Sequence, residues 1–225
     1  MEKAKNSLIR TFGRVHGKKL SARQQWLVSN LLSGLLPTDT SDNAILEIGF
    51  GAGEHILHLA ENSAALQIIG AEPFINGIAS LLSAMTQQSL ELKVESSGNI
   101  IKPEYRNIRI WPDDVRKFLT PNVTFSKIYI LHPDPWPKAR HEKRRLLSAE
   151  FLNQLAGHLT PGGQIVIGTD HTDYFNWVLE QVAKTNLKIL NRDFFIPPES
   201  GLDTRYHAKN KFGSERPMYL VLGSK

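Results

Sequence analysis

The sequence predicts a Rossmann-like α/β fold, in which helices cover both faces of a mostly parallel central sheet. Apolar patterns of strand period alternate with patterns of helical period along most of the 225 residues, and this alternation is typical of successive β-α-β units. A glycine-rich turn stands between the first strand and the helix that follows it. The length suits one domain with a sizeable core.

Seven strands are predicted, because seven short runs are rich in Ile, Val, Leu or Tyr. They lie within residues 44–48, 66–72, 107–114, 126–131, 161–171, 187–190 and 217–223. Helices are predicted where apolar residues recur at intervals of three and four. They cover residues 21–36, 54–62, 75–88, 114–119, 141–158 and 172–185.

The first 20 residues carry much charge and little apolar periodicity, so we predict that they form a mobile basic arm. No repeat or low-complexity stretch divides the remainder, and residues 21–225 are predicted to form a single domain. The sequence leaves both a monomer and a homodimer open.

Positive charge is concentrated in two short segments. Residues 1–23 hold seven Lys or Arg against one acid, and residues 138–145 hold five against one. From totals of 27 basic and 22 acidic side chains, the rest of the chain keeps 15 against 20 and is therefore acidic. Clustered positive charge on an otherwise acidic protein favours a polyanionic partner, and we expect a nucleic acid.

Several classes of protein are disfavoured by composition. The chain has no cysteine, which excludes disulfides and thiolate chemistry and fits a cytoplasmic location. No run approaches the roughly 20 apolar residues of a membrane span, and the N-terminus has no apolar segment typical of a secretory signal. No metal-ligand spacing of His, Asp or Glu is present, so we expect neither a membrane nor a metal as partner.

The glycine turn has the spacing G-x-G-x-G, with Gly49, Gly51 and Gly53 between the first strand and a helix. Glycine permits a sharp turn and a close approach of the backbone to a ligand. Dinucleotide-binding enzymes use G-x-G-x-x-G instead, so a nucleotide-dependent oxidoreductase is disfavoured.

Three acidic residues lie at the ends of the first three strands. Glu47 is on the first strand, where a core-facing acid is costly without a partner. Glu72 ends the second strand, where a carboxylate can accept both hydrogen bonds of a ribose diol. Asp113 follows the third strand and could accept a hydrogen bond from the amino group of a purine.

Together, the glycine turn and these acids resemble the cofactor-binding core of the class I methyltransferases. The resemblance implies S-adenosyl-L-methionine as the cofactor. It places Glu47 beside the methionine end, Glu72 on the ribose and Asp113 near the adenine.

The fourth strand ends in the segment HPDPWPKARHEKRR. Pro133 and Pro135 restrict the backbone on either side of Asp134, so they predict a rigid loop that holds one carboxylate and the Trp136 indole. Ligands of open α/β sheets bind at the carboxyl ends of the strands, so this loop should border the cofactor site, with Asp134 in contact with the cofactor as well as the substrate.

The segment HPDPWPKARHEKRR closely resembles a motif of the tRNA (guanine-N7-)-methyltransferases. LEIGFGAGEH resembles their cofactor turn, GTDHTDYF resembles the exit of their fifth strand, and TRYHAK resembles their C-terminal substrate motif. The resemblance runs from about residue 10 to the C-terminus. It implies transfer of a methyl group to N7 of a guanine in tRNA, at position 46 of the variable loop, to give 7-methylguanosine.

The same resemblance assigns residues to the substrate. Asp134 is the candidate catalytic residue, because its carboxylate could orient the guanine and stabilise the positive charge that develops on the ring. Further candidates for substrate binding are Lys138, Asp170, Thr204, Tyr206 and His207, the last of which stands where the family has a glutamate. The candidates for contact with tRNA phosphates are Arg140, Lys143, Arg144 and Arg145.

Two other functions stay open from the sequence. One is a methyltransferase that acts on another RNA or on a small molecule, although the basic segments argue against a small molecule. The other is a non-catalytic RNA-binding protein on the same scaffold. The acidic residues expected at the strand ends are all present, which argues against a protein whose catalytic site has decayed.

Overall fold

The computed structural model describes residues 11–13, 17–38, 40, 43–86, 100–202 and 216–224. Within these ranges the strands are β1 (Ile45–Ile48), β2 (Ile68–Ala71), β3 (Ile108–Trp111), β4 (Phe125–Leu131), β5 (Leu159–Thr169), β6 (Leu187–Ile189) and β7 (Met218–Ser224). The α-helices are α1 (Ala22–Leu31), α2 (Glu54–Asn62), α3 (Ile75–Met85), α4 (Ala149–Ala156) and α5 (Thr172–Val182).

The strands form one seven-stranded sheet in the order β3-β2-β1-β4-β5-β7-β6. The first five strands pair in parallel, and β7 is antiparallel to both β5 and β6. The predicted mostly parallel sheet is confirmed. The strand order reverses between β1 and β4, and a crevice opens at the carboxyl ends of the strands at such a point.

Helices cover both faces of the sheet, as predicted. On one face, α1, α2 and α3 contribute buried residues such as Leu27, Ile56 and Leu82. On the other face, α4 and α5 contribute residues such as Leu152 and Val178. Because the parallel strands are covered on both sides, β1 and β2 near the centre of the sheet are buried at every position.

The prediction of one continuous helix over 141–158 was wrong. A short 3-10 helix covers Ala139–Arg144, Arg145 has extended backbone, and α4 begins only after Ser148. The Ser148 side chain accepts a hydrogen bond from the N–H of Phe151, which caps a new helix. The basic residues therefore lie on a short segment beside the crevice and do not continue the apolar stripe of α4.

Part of the predicted N-terminal arm lies among the described residues, namely 11–13 and 17–20. Asn76 at the start of α3 donates a hydrogen bond to the carbonyl of Lys18 at 2.6 Å. The side chain of Gln25 donates another to the carbonyl of Leu20 at 2.8 Å. The other residues of the arm lie outside the described ranges, and the division into arm and domain stays a prediction.

Candidate active site

A cleft of about 1050 Å³ opens at the carboxyl ends of β1, β2 and β4. Clefts that bind small ligands commonly have volumes of this order. One part is lined by the glycine turn and by residues after β2 and β3, and the other part by the loop after β4 and by α4 and α5. Of the sequence-predicted site residues, the cleft is lined by Gly49, Gly51, Glu72, Asp113, Asp134, Lys143, Arg144 and Arg145.

The glycine turn has left-handed backbone at all three glycines, with φ of 76° at Gly49, 57° at Gly51 and 86° at Gly53. Residues with a side chain rarely adopt this conformation, so the turn requires glycine. The N–H of Gly49 donates a hydrogen bond to the carbonyl of Ala71 at 2.8 Å, which ties the turn to β2. Gly53 precedes α2 and gives the chain its change of direction.

Glu72 is buried at the edge of the cleft, with 7% of its surface exposed. One carboxylate oxygen accepts a hydrogen bond from the N–H of Gly51 and the other from the N–H of Phe74, each at 2.8 Å. Burial raises the pKa of Glu72 above its ordinary value, and the two backbone hydrogen bonds oppose part of that increase. Each oxygen keeps a second acceptor position for a ligand.

Gly77 on α3 is a site residue that the sequence reasoning missed. A Cβ atom at this position would lie 2.2 Å from the carbonyl oxygen of Gly51. The helix can pack against the glycine turn only because this residue has no side chain. The available signal was a glycine inside a helical pattern, which costs helix stability and therefore calls for a packing reason.

Glu47 lies on β1 beneath the turn and is 3% exposed. Its carboxylate pairs with Nδ1 of His55 at 3.1 Å, which supplies the partner that a buried acid needs. The His55 ring also packs edge-on against Tyr129, with 4.6 Å between ring centres. Glu47 and Gly53 are not among the described residues that line the cleft, and their contact with a cofactor stays a prediction.

Two adjacent acids follow β3 and have different surroundings. The Asp113 carboxylate accepts hydrogen bonds from Lys117 Nζ at 3.0 and 2.8 Å, and these lower its pKa below the ordinary range. Asp114 is buried, and burial alone would raise its pKa. Hydrogen bonds from Arg116 and Thr11 outweigh this effect of burial, so the pKa of Asp114 lies below its ordinary value. The sequence reasoning did not single out Asp114.

Residues 11–13 line part of the cleft. The Thr11 hydroxyl donates a hydrogen bond to Asp114 Oδ2 at 2.8 Å, and Phe12 and Gly13 also line the cleft. A Cβ atom at Gly13 would lie 3.8 Å from Asp134 Oδ2. This segment therefore contacts the acid after β3 and passes beside the loop after β4.

The loop after β4 carries the two non-glycine residues with positive φ in the described chain, His132 at 50° and Trp136 at 43°. Asp134 lies between them, is exposed, and faces the cleft with its carboxylate available to a ligand. The Trp136 ring packs against the Arg144 guanidinium, whose carbon lies 5.0 Å from the ring centre. The prolines and the packing of Trp136 on Arg144 restrict the conformations open to this loop.

The basic residues of segment 138–145 divide into two groups. Lys138, Arg140 and Lys143 are exposed to solvent. Arg144 and Arg145 are half-buried and contact aromatic rings. His141 lies among them, and slight burial together with the positive charges of Arg144, Arg140 and Lys138 lowers its pKa below the ordinary value.

Asp170 follows β5 and is 9% exposed. Its Oδ1 lies 3.7 Å from Nδ1 of His132, at the base of the loop that carries Asp134. The structure therefore brings Asp170 next to this loop, although it is not among the described residues that line the cleft. Thr204, Tyr206 and His207 lie outside the described residues.

Comparison with known proteins identifies the family. A family model described as "Putative methyltransferase" matches residues 41–213. The tRNA (guanine-N(7)-)-methyltransferase of Ruegeria pomeroyi is 34% identical over 233 residues, which cover 93% of this chain and 92% of that protein. The protein of the same name from Caulobacter vibrioides is 34% identical over 227 residues, which cover 94% and 93%. The chain belongs to the tRNA (guanine-N7)-methyltransferase family.

Solved methyltransferase structures share the fold of this family member. The 16S rRNA methyltransferase KamB has a TM-score of 0.53 at 17% identity and covers 94% of this chain and 99% of its own. The glycopeptide N-methyltransferase MtfA, solved with S-adenosylmethionine, has a TM-score of 0.53 at 9% identity and covers 84% and 90%. The predicted class I methyltransferase fold is confirmed.

The cofactor of this tRNA (guanine-N7)-methyltransferase family member is S-adenosylmethionine, as predicted. The cleft fits this ligand. A Cβ atom at Gly49 would have no atom within 4 Å, so the backbone there is open to a ligand, and the Glu72 carboxylate faces the cleft nearby. In the described part of the chain, His, Asp and Glu residues form no cluster of three that could bind a metal.

Among the residues that the structure describes, each helix is too short or too polar to cross a bilayer.

Proposed function

We propose that the chain transfers the methyl group of S-adenosylmethionine to N7 of a guanine in tRNA, at position 46 of the variable loop, and so forms 7-methylguanosine. One observation supports this above the others. The glycine turn with Glu72 and the loop with Asp134 border the same cleft, so a cofactor and a guanine can meet there. Relatives named as tRNA (guanine-N(7)-)-methyltransferases match the chain over nearly its whole length.

The cofactor would be held by the glycine turn and the acids after β2 and β3. The backbone of Gly49 and Gly51 is open to the cleft, Glu72 would accept hydrogen bonds from the ribose, and Asp113 would accept one from the adenine. When bound, S-adenosylmethionine supplies a methyl group on a positively charged sulfur. The sequence reasoning also places Asp134 in contact with the cofactor.

Guanine N7 carries a free lone pair, so no base has to remove a proton before the methyl group is attacked. The guanine ring becomes positively charged as the new bond forms. Catalysis then depends on orientation and on a negative charge placed beside the ring. Asp134 meets this need, because its carboxylate is exposed on a rigid loop at the cleft.

Other residues would hold the guanine and the tRNA around this centre. Asp170 lies at the base of the Asp134 loop, where it could accept a hydrogen bond from the guanine edge. Thr204, Tyr206 and His207 stay substrate-binding candidates from the sequence. Lys143 lines the cleft, and the three exposed cations Lys138, Arg140 and Lys143 would contact phosphates, which supply affinity without sequence information.

The function is tested with labelled S-adenosylmethionine and two transcripts of one tRNA, with guanine or adenine at position 46. We expect labelled 7-methylguanosine from the first transcript and none from the second. Label in both transcripts would place the target at another guanine, and label in another nucleoside would contradict N7 chemistry. Binding of both transcripts without any transfer would favour the non-catalytic RNA-binding alternative.

A further inference from the structure

Arg144 and Arg145 are adjacent but have different surroundings. The Arg144 guanidinium lies between two rings, with its carbon 5.0 Å from the centre of Trp136 and 5.6 Å from the centre of Phe12. Arg145 is directed at the backbone of the loop that carries Asp134. Its Nε donates a hydrogen bond to the carbonyl of Pro135 at 3.0 Å, and Nη2 donates a longer one to the carbonyl of Trp136 at 3.5 Å.

These two carbonyls lie where the loop needs support. Trp136 has a φ of 43°, a left-handed conformation that a bulky residue adopts only when its surroundings hold it there. Pro135 has no N–H, so it cannot donate a hydrogen bond to a neighbouring carbonyl. A planar guanidinium has several donors in a fixed geometry, so one arginine can bind two successive carbonyls.

Arg145 is itself fixed to the domain. Its backbone N–H donates a hydrogen bond to the carbonyl of Glu142 at 2.9 Å. Its guanidinium carbon lies 4.9 Å from the centre of the Trp177 ring on α5. Trp177 Nε1 donates a hydrogen bond to the Glu142 carboxylate at 2.9 Å, so Glu142 accepts hydrogen bonds from both Arg145 and Trp177. The loop is thereby connected to a helix that is packed on the sheet.

We propose that Arg145 is a positioning residue that holds the Pro133–Trp136 loop and thereby fixes Asp134 at the cleft. This role replaces the phosphate contact that the sequence predicts for Arg145. The phosphates of tRNA would then be contacted by Lys138, Arg140 and Lys143, which are exposed. This inference rests on the proposed function, in which Asp134 acts on the guanine. Asp134 must be placed accurately, because a displacement of about 1 Å can lower a rate by roughly 10²-fold.

The variant Arg145→Lys separates positioning from charge. Lysine keeps the positive charge, so a phosphate contact would be largely retained, but it lacks the planar donors and the stacking surface. We expect the single-turnover methylation rate at saturating tRNA to fall roughly 10- to 100-fold. The affinity for tRNA and the dependence of that affinity on salt should stay as in the wild type.

Two quantities are measured on four proteins. Filter binding at several salt concentrations gives the tRNA affinity and its salt slope, and single-turnover methylation gives the rate. Wild type is compared with Arg145→Lys, with Lys143→Ala, and with Arg192→Lys, an exposed arginine in the loop after β6. Lys143→Ala should weaken tRNA binding and lower the salt slope by about one unit. Arg192→Lys should match wild type in both measurements. Affinity for S-adenosylhomocysteine confirms that each variant is folded.

A near wild-type rate for Arg145→Lys would overturn the proposal, and so would a reduced salt slope in this variant. If Arg145→Lys does not fold, Trp177→Leu removes the stacking surface without changing charge, and its rate should fall with unchanged tRNA affinity. An unchanged rate there would also overturn the proposal. A wild type that does not methylate guanine in tRNA would instead contradict the proposed function.

Discussion

The Glu72 carboxylate accepts a hydrogen bond from the backbone N–H of Gly51 across 2.8 Å. Its other oxygen accepts one from the N–H of Phe74, in the segment that leads into α3. Glu72 therefore joins the turn after β1 to the loop after β2, the two segments that border the cofactor part of the cleft. The residue expected to bind the ribose also holds the shape of the glycine turn.

We predict that Glu72→Ala weakens the binding of S-adenosylhomocysteine roughly 10- to 100-fold, since hydrogen bonds to a charged group contribute about 1.5–3 kcal/mol. Glu72→Gln should lose less, because its amide oxygen can still accept one of the two backbone hydrogen bonds. Titration calorimetry measures both. Glu104→Ala, at an exposed position on the 3-10 helix before β3, is the control. Wild-type affinity in Glu72→Ala would remove this residue from the cofactor site.

Acidification should weaken cofactor binding through Glu72. Burial raises its pKa above the ordinary 4.5, so this carboxylate takes up a proton at a higher pH than an exposed glutamate does. Affinity for S-adenosylhomocysteine should be full above that raised pKa and decline as the pH falls through it. Measured against pH, the ratio of wild-type to Glu72→Gln affinity isolates this group, and a constant ratio would contradict the prediction.

Stability should change in the opposite direction. An acid whose pKa is raised by folding contributes stability below its unfolded pKa and loses that contribution as the pH rises through the folded pKa. Relative to Glu72→Gln, the wild type should therefore become less stable between pH 4.5 and neutral pH. Urea unfolding at several pH values measures the difference, and a wild type that gains stability over this interval would show that Glu72 is not strained by burial.

Gly77→Ala should displace the glycine turn, because position 77 on α3 packs directly against it. The new Cβ would lie 2.2 Å from the carbonyl oxygen of Gly51, so α3 or the turn must move. We expect the free energy of unfolding to fall by about 1–3 kcal/mol and cofactor affinity to fall with it. Gly34→Ala is the matched control, because a Cβ there meets no atom within 4 Å. Equal stability of the two variants would mean that α3 does not constrain the turn.

Asp134→Ala should separate chemistry from binding. Loss of one oriented charge near the transition state commonly lowers a rate by about 10²–10³-fold, and we expect a fall of this size in single-turnover methylation. Affinity for tRNA should change little, because phosphate contacts dominate it. Asp134→Asn keeps the shape of the side chain and removes its charge, so its loss of rate measures the contribution of the negative charge alone. Equal losses of rate and of tRNA affinity would make Asp134 a docking residue instead.

The strands and the position of the binding site at their carboxyl ends could be predicted from local patterns in the sequence. Apolar runs such as 126–131 and the glycines at 49, 51 and 53 depend on short-range steric rules, so they could be recognised without knowing the partners of each segment. The helix over 141–158 was predicted wrongly, because an apolar stripe does not show where a chain breaks. The break depends on Ser148, which caps α4, and on the extended backbone of Arg145.

The sequence by itself determined the fold class, the cofactor turn, the acids at the strand ends and the family of this protein. It also identified a rigid Pro-Asp-Pro-Trp loop with Asp134 at its centre. Only the tertiary structure decided that Gly77 makes room for the turn, that Thr11 reaches Asp114, and that Arg145 forms hydrogen bonds to the loop. These contacts join residues from separate elements, and their geometry depends on how the helices pack on the sheet, which local patterns do not specify.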